Sequence, residues 1–104
     1  MKPDALRGQL DVLVLAALRD DPAHGYAVIR RLDDRSAGAF ALAEGTVYPV
    51  LHRLEAEGLL ASDWSTVGGR RRRVYRLTRA GRSALEERGR QWRRFATAVE
   101  AVLA

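Results

Sequence analysis

One stretch, Glu44 to Leu60, constrains this chain more than any other. At helical spacing Val47, Val50, Leu51 and Leu54 fall on one face, a strip that can pack on a core. Gly45, Thr46, Pro49, His52, Arg53 and Ala56 fall on the other. That outer face is small, polar and uncharged to basic, with the acids Glu55 and Glu57 held to the C-terminal end. A helix that lies in a DNA groove needs this arrangement, because duplex phosphates repel carboxylates and bulky apolar side chains would bury nothing there. Taken alone, the same pattern fits an ordinary amphipathic surface helix. Pro49 removes the amide that would bond the carbonyl four residues back, which is tolerable near the first turns and costly later; the helix is therefore expected to start near Ala43 or Glu44. Ala43 is a poor N-cap residue for that start. Gly58, which accepts the left-handed conformation, is expected to stop the helix. Tyr48 stands at the edge of the outer face, either as a half-buried packing residue or with its hydroxyl within reach of a phosphate.

After Gly58 the period shortens towards two. Leu60, Ser62, Trp64 and Thr66 face one way, and Ala61, Asp63 and Ser65 the other. Gly68-Gly69 is a turn signal, and Arg73, Tyr75 and Leu77 form one side of a return strand. The result is a hairpin with Arg70, Arg71, Arg72 and Arg73 at or just beyond its tip. Four adjacent arginines repel one another unless a polyanion is near, so their natural partner is a phosphate backbone or the minor groove; the alternative is a solvated charged loop. The net charge of +5, with 18 basic residues that are all arginine except Lys2, agrees with a polyanionic partner. Charge alone does not separate DNA, RNA and an anionic membrane.

At 104 residues the chain is one fold with a modest core, and its 47% hydrophobic content is enough to fold. Asp4 is a candidate N-cap for a first helix to about Leu18, with Leu6, Leu10, Leu13, Val14, Ala17 and Leu18 on one face and Val12, Leu15 and Ala16 on others. A helix apolar nearly all round is either a central core helix or is covered on its second side by another subunit. Asp20 to Ala23 reads as a turn. His24-Gly25-Tyr26 opens a second helix to about Arg35, with Val28, Ile29 and Leu32 inward. His24 lacks the acidic neighbours of a metal ligand or catalytic base and is read as structural or backbone-contacting. In the connector from Ser36 to Ala43, alternation of Phe40 and Leu42 allows a very short strand with both side chains inward. Thr78 is a good N-cap for a last helix from Arg79 to about Leu103. Its Leu85, Trp92, Phe95, Val99 and Val102 recur at spacings of seven, three, four and three, a seam suited to another helix. No later element is left to cover that seam, so the helix is expected to cross to a partner subunit and meet the partner's first helix.

The order helix, helix, helix, hairpin, helix gives the expected fold class: mainly α with a small β-hairpin, a winged helix-turn-helix over residues 1–78 followed by a dimerisation helix over 79–104. Dimerisation is expected through Leu6, Leu10, Leu85, Trp92, Phe95, Val99 and Val102. It would present two recognition helices to neighbouring turns of double-stranded DNA, about 34–36 Å apart. Thr46, Pro49, His52 and Arg53 are assigned to the groove, with Arg53 the best candidate for bidentate reading of guanine, and Tyr48 and Arg70 to Arg73 to the backbone. Without cysteine, disulfides, thiol catalysis and cysteine-ligated zinc are excluded. The longest apolar run, Val12 to Leu18, is too short for a bilayer, and no signal peptide opens the chain, so the cytoplasm is the expected location. No carboxylate pair, nucleophile–base pair or phosphate loop points to an enzyme, and no cofactor or metal is expected.

Several stretches, Leu10 to Leu15, His24-Gly25-Tyr26, Gly45 to Glu55, Gly58-Leu59-Leu60 and Gly69 to Gly81, together resemble the PadR family of bacterial transcriptional regulators. The resemblance spans nearly the whole chain and agrees in order and spacing. It implies a homodimeric winged-helix repressor, of the short form with a single terminal helix. It also implies a small aromatic effector at the dimer interface, where two Trp92 rings could sandwich a flat ligand; the alternative is an interface tryptophan that only packs. A different class of function, a winged-helix module that binds protein or RNA without an operator, fits the same elements.

Overall fold

The computed structural model describes residues 3–104, and their side chains except those of residues 3–7 and 67. The Leu6 side chain, expected at the dimer surface, lies outside that description. The described elements run α1 (Pro3–Ala17), β1 (Ala23–His24), α2 (Gly25–Arg35), α3 (Glu44–Ala56), β2 (Leu60–Val67), β3 (Arg70–Leu77) and α4 (Arg79–Leu103). The fold is a winged helix: helices on one side, and a three-stranded antiparallel sheet in the order β1-β3-β2. Proline at the first position opens α1 without loss of a needed amide, so Asp4 falls inside the first turn rather than ahead of it.

The apolar faces read from the sequence meet in one core. Val14 and Leu15 of α1 and Leu18 just after it, Val28 and Leu32 of α2, Val47, Leu51 and Leu54 of α3, Leu60, Tyr75 and Leu77 of the sheet and Leu85 of α4 are all buried. α1 contacts α2, α3 and α4 of its own chain. These contacts agree with the alternative of a central core helix; Leu10 packs against the same core, and Val12, Leu13 and Ala16 remain partly buried at its edge. Its last carbonyls are satisfied by arginines. Arg31 donates to Ala17 O at 2.9 Å, and Arg35 to Ala16 O at 3.1 Å.

Two further differences concern strands and the last helix. The third strand is β1, where Ala23 pairs with Tyr75 and His24 with Val74. The connector between α2 and α3 holds no strand; Phe40 is exposed, and only Leu42 packs inward. α4 starts against its own chain. Thr78 Oγ1 accepts the Gly81 amide at 3.0 Å and donates to Gly58 O at 2.7 Å, tying the start of α4 to the end of α3. A Cβ on Gly81 would lie 2.0 Å from Leu59 O, so only glycine lets α4 cross this closely. Leu85, expected in an intersubunit seam, is therefore part of the intrachain core, at 7% exposure. The seam that stays uncovered is Trp92, Phe95, Val99 and Val102, with Leu103 beside it. Among the described residues no helix is long and apolar enough to cross a membrane.

Candidate nucleic-acid interface

α3 starts at Glu44, where an extended Ala43 offers its carbonyl to the amides of Thr46 and Val47 but no side-chain cap. Pro49 is the sixth residue of the helix, and the Gly45 carbonyl it leaves without an amide lies on the exposed face. The C-terminus closes as the sequence indicates. Gly58, at φ +80°, donates to Glu55 O, and Leu59 donates to Leu54 O at 2.9 Å. Gly45, Thr46, Pro49, His52 and Ala56 form an exposed surface free of carboxylates.

Arg53 is placed differently from its expected role. Its Nη2 lies 2.5 Å from Asp11 Oδ1 and its Nη1 3.1 Å from Asp11 Oδ2, a bidentate pair, with Glu57 at 3.4 Å. The hydrogen bonds to Asp11 raise the Arg53 pKa further above its ordinary value. Arg88 Nη1 reaches the same Asp11 Oδ2 at 3.1 Å. Asp11 is only 4% exposed, so one carboxylate in α1 ties α3 to α4. The fork assigned to guanine is engaged by Asp11, while the Arg53 side chain keeps 31% of its surface exposed. Its position on the outer helical face was legible; a carboxylate 42 residues earlier in the chain was not.

Tyr48 is half-buried with its ring over Gly25, where a Cβ would come within 2.6 Å of the ring, and it is tilted against His52 at 6.5 Å between centroids. His24 is the N-cap of α2: its Nδ1 accepts the Ala27 amide at 3.2 Å. Partial burial, then Arg72 and Arg31, lower its pKa, and that acceptor bond requires the neutral ring. The structural reading of His24 stands.

β2 and β3 pair from Leu60–Leu77 to Val67–Arg70 across a two-residue turn, Gly68-Gly69, with both φ values positive as that tight turn requires. The turn is the tip; the four arginines begin the return strand. The pleat divides them. Arg71 and Arg73 share the face of Tyr75 and Leu77, while Arg70 and Arg72 take the other. On the core side of the sheet, Ser62 Oγ donates to Glu55 of α3 at 2.5 Å, and Arg73 lies 3.7 Å from the same carboxylate. Beyond that point Trp64, 55% exposed, carries Arg71 at 5.0 Å and Arg73 at 5.4 Å from its ring centroid. Among the described residues Arg70 and Arg72 have no carboxylate at ion-pair distance. Between α3 and the wing runs a cleft of about 290 Å³, lined by His24, Gly25, Tyr48, His52, Trp64, Arg71, Arg72, Arg73 and Tyr75. Trp64, Asp11 and Arg88 were not singled out from the sequence. For Trp64 a signal existed: alternation puts it one step past the core on the face that opposes Arg73.

Distant from this surface, Trp92 and Phe95 of α4 contact each other, 5.9 Å between ring centroids, and Trp92 is 47% and Val102 84% exposed.

The sequence profile of the transcriptional regulator PadR-like family matches residues 14–87. A Mycobacterium tuberculosis protein named Transcriptional regulator Rv3488 is 44% identical over 81 residues, which span 78% of this chain and 73% of that protein. A PadR family transcriptional regulator from Eggerthella lenta is similar in structure, with a TM-score of 0.80 and 40% identity over 93% of this chain and 83% of that one. A PadR family transcription regulator from Clostridium difficile superposes with a TM-score of 0.78 at 31% identity, covering 91% and 98% of the two chains.

Proposed function

Since this chain belongs to the transcriptional regulator PadR-like family, we propose that it is a homodimeric repressor that binds a (pseudo)palindromic operator in double-stranded DNA. The observation that carries this reading is the exposed strip of Gly45, Thr46, Pro49, His52 and Ala56 on α3, which carries no carboxylate between Glu44 and Glu57 at the helix ends, beside an arginine-bearing wing. α3 enters the major groove, where Thr46, Pro49 and His52 meet base edges. Tyr48 and the wing arginines Arg70 to Arg73 take flanking phosphates. Arg53 acts through Asp11, fixing the tilt at which α3 meets the groove. Residues 1–78 serve DNA binding and residues 79–104 dimerisation, through Trp92, Phe95, Val99 and Val102 with Leu103. A flat aromatic effector stacks between the two Trp92 rings and shifts the spacing of the recognition helices. A Trp92→Ala variant then keeps the dimer and its DNA affinity but no longer answers to the ligand.

Footprinting on the region upstream of the protein's own gene tests the operator. Two protected half-sites one duplex turn apart support it. Uniform protection at all sequences, or preferential binding of RNA, overturns it.

A further inference from the structure

We propose that Trp64 is a positioning residue of the DNA interface, holding Arg71 and Arg73 extended on the α3-facing side of the wing. The inference rests on the DNA-binding reading above. It starts from the pleat: Leu60, Ser62 and Trp64 share one face of the hairpin with Leu77, Tyr75 and Arg73. The first two layers of that face are occupied by the core and by the Ser62–Glu55 bond to α3. The next layer has no core to enter. There an indole stands 55% exposed, with two guanidinium groups over one ring at 5.0 and 5.4 Å.

Two like charges this close repel, and arginine side chains are rich in rotamers. The negative face of the indole offsets the repulsion and restricts both side chains. The Glu55 carboxylate, 3.7 Å from Arg73, fixes the inner of the two. Arg70 and Arg72, on the opposite face, lack this support. The four arginines that look equivalent in sequence are thus two pairs. One is pre-ordered on the indole beside the cleft that α3 borders, so it meets phosphates there with little further ordering; of the other pair, Arg72 also lines that cleft and Arg70 is exposed, but neither has the indole or Glu55 to hold it.

The test is a double-mutant cycle. Binding to a duplex from the gene's own upstream region and to a scrambled duplex is measured at matched salt. Trp64→Ala is expected to weaken both about tenfold, the value of two exposed cation–π contacts. In a chain already carrying Arg71→Gln and Arg73→Gln, Trp64→Ala is expected to change binding less than twofold. Trp64→Phe, which keeps an aromatic face, should retain most of the affinity, and Trp64→Leu should lose as much as Trp64→Ala. Equal losses in the two backgrounds, or equal losses for Phe and Leu, overturn the proposal, as does a Trp64→Ala chain that binds like the parent. A parent chain that binds neither duplex overturns the DNA-binding reading itself.

Discussion

Asp11 is the residue whose removal should be felt furthest. It accepts from Arg53 and Arg88 while 4% exposed, so Asp11→Ala leaves two guanidinium groups without their carboxylate. We expect a loss of roughly 2–3 kcal/mol, less than for a fully buried triad because both arginines remain partly solvated. A lower urea midpoint at unchanged slope is the measurement. His24 gives a prediction in pH. Its folded-state pKa is lowered, so protonation favours the unfolded chain. Its contribution to stability is whole above the unfolded value of about 6.5 and falls as the pH drops through that value towards the folded one. Thermal scans between about pH 8 and pH 5.5 should show the parent losing stability more steeply than His24→Asn, which keeps a cap oxygen but does not titrate. The role of His24 was legible because no ligand-bearing neighbours accompany it. The Asp11–Arg53 pair was not, because helical spacing assigns a face and says nothing of a partner on another helix.

At the scale of elements, the helices and the hairpin were legible because each carries a long period: 3.6 with a glycine stop for α3, two with a Gly-Gly turn for the wing. β1 was not, since two residues contain no period; its pairing with β3 comes from the chain returning beside the sheet. Alternation of Phe40 and Leu42 misled for the same reason. The seam of α4 was read at the right spacing, but its first member, Leu85, is claimed by the intrachain core where Gly81 crosses Leu59. The wing yields a prediction as a unit. Arg70→Gln with Arg72→Gln should weaken binding to every duplex alike and flatten the dependence of log affinity on log salt by about two for each protomer in contact, close to four for the dimer. A change of sequence preference with the slope intact would contradict the backbone role of the outer pair.

For the whole molecule, the distal half of α4 exposes Trp92, Phe95, Val99, Val102 and Leu103 along one helix, more apolar surface than a lone chain gains by showing. Phe95→Glu is expected to turn a dimer into a monomer in sedimentation, with the core intact, and to lower operator affinity far more than affinity for scrambled DNA, since one half-site is lost. A Phe95→Glu chain that remains dimeric removes that stripe from the interface. The central claim is that the exposed face of α3 touches duplex DNA, and Thr46→Glu addresses it most directly. Thr46 is exposed in the first turn of α3, where an acid suits the helix dipole, so folding is preserved. At matched salt, the ratio of affinities for the gene's own upstream duplex and a scrambled one should be well above one for the parent and collapse for Thr46→Glu, whose carboxylate would face the phosphates; a Thr46→Glu chain that keeps the parent's affinity and preference would contradict the account.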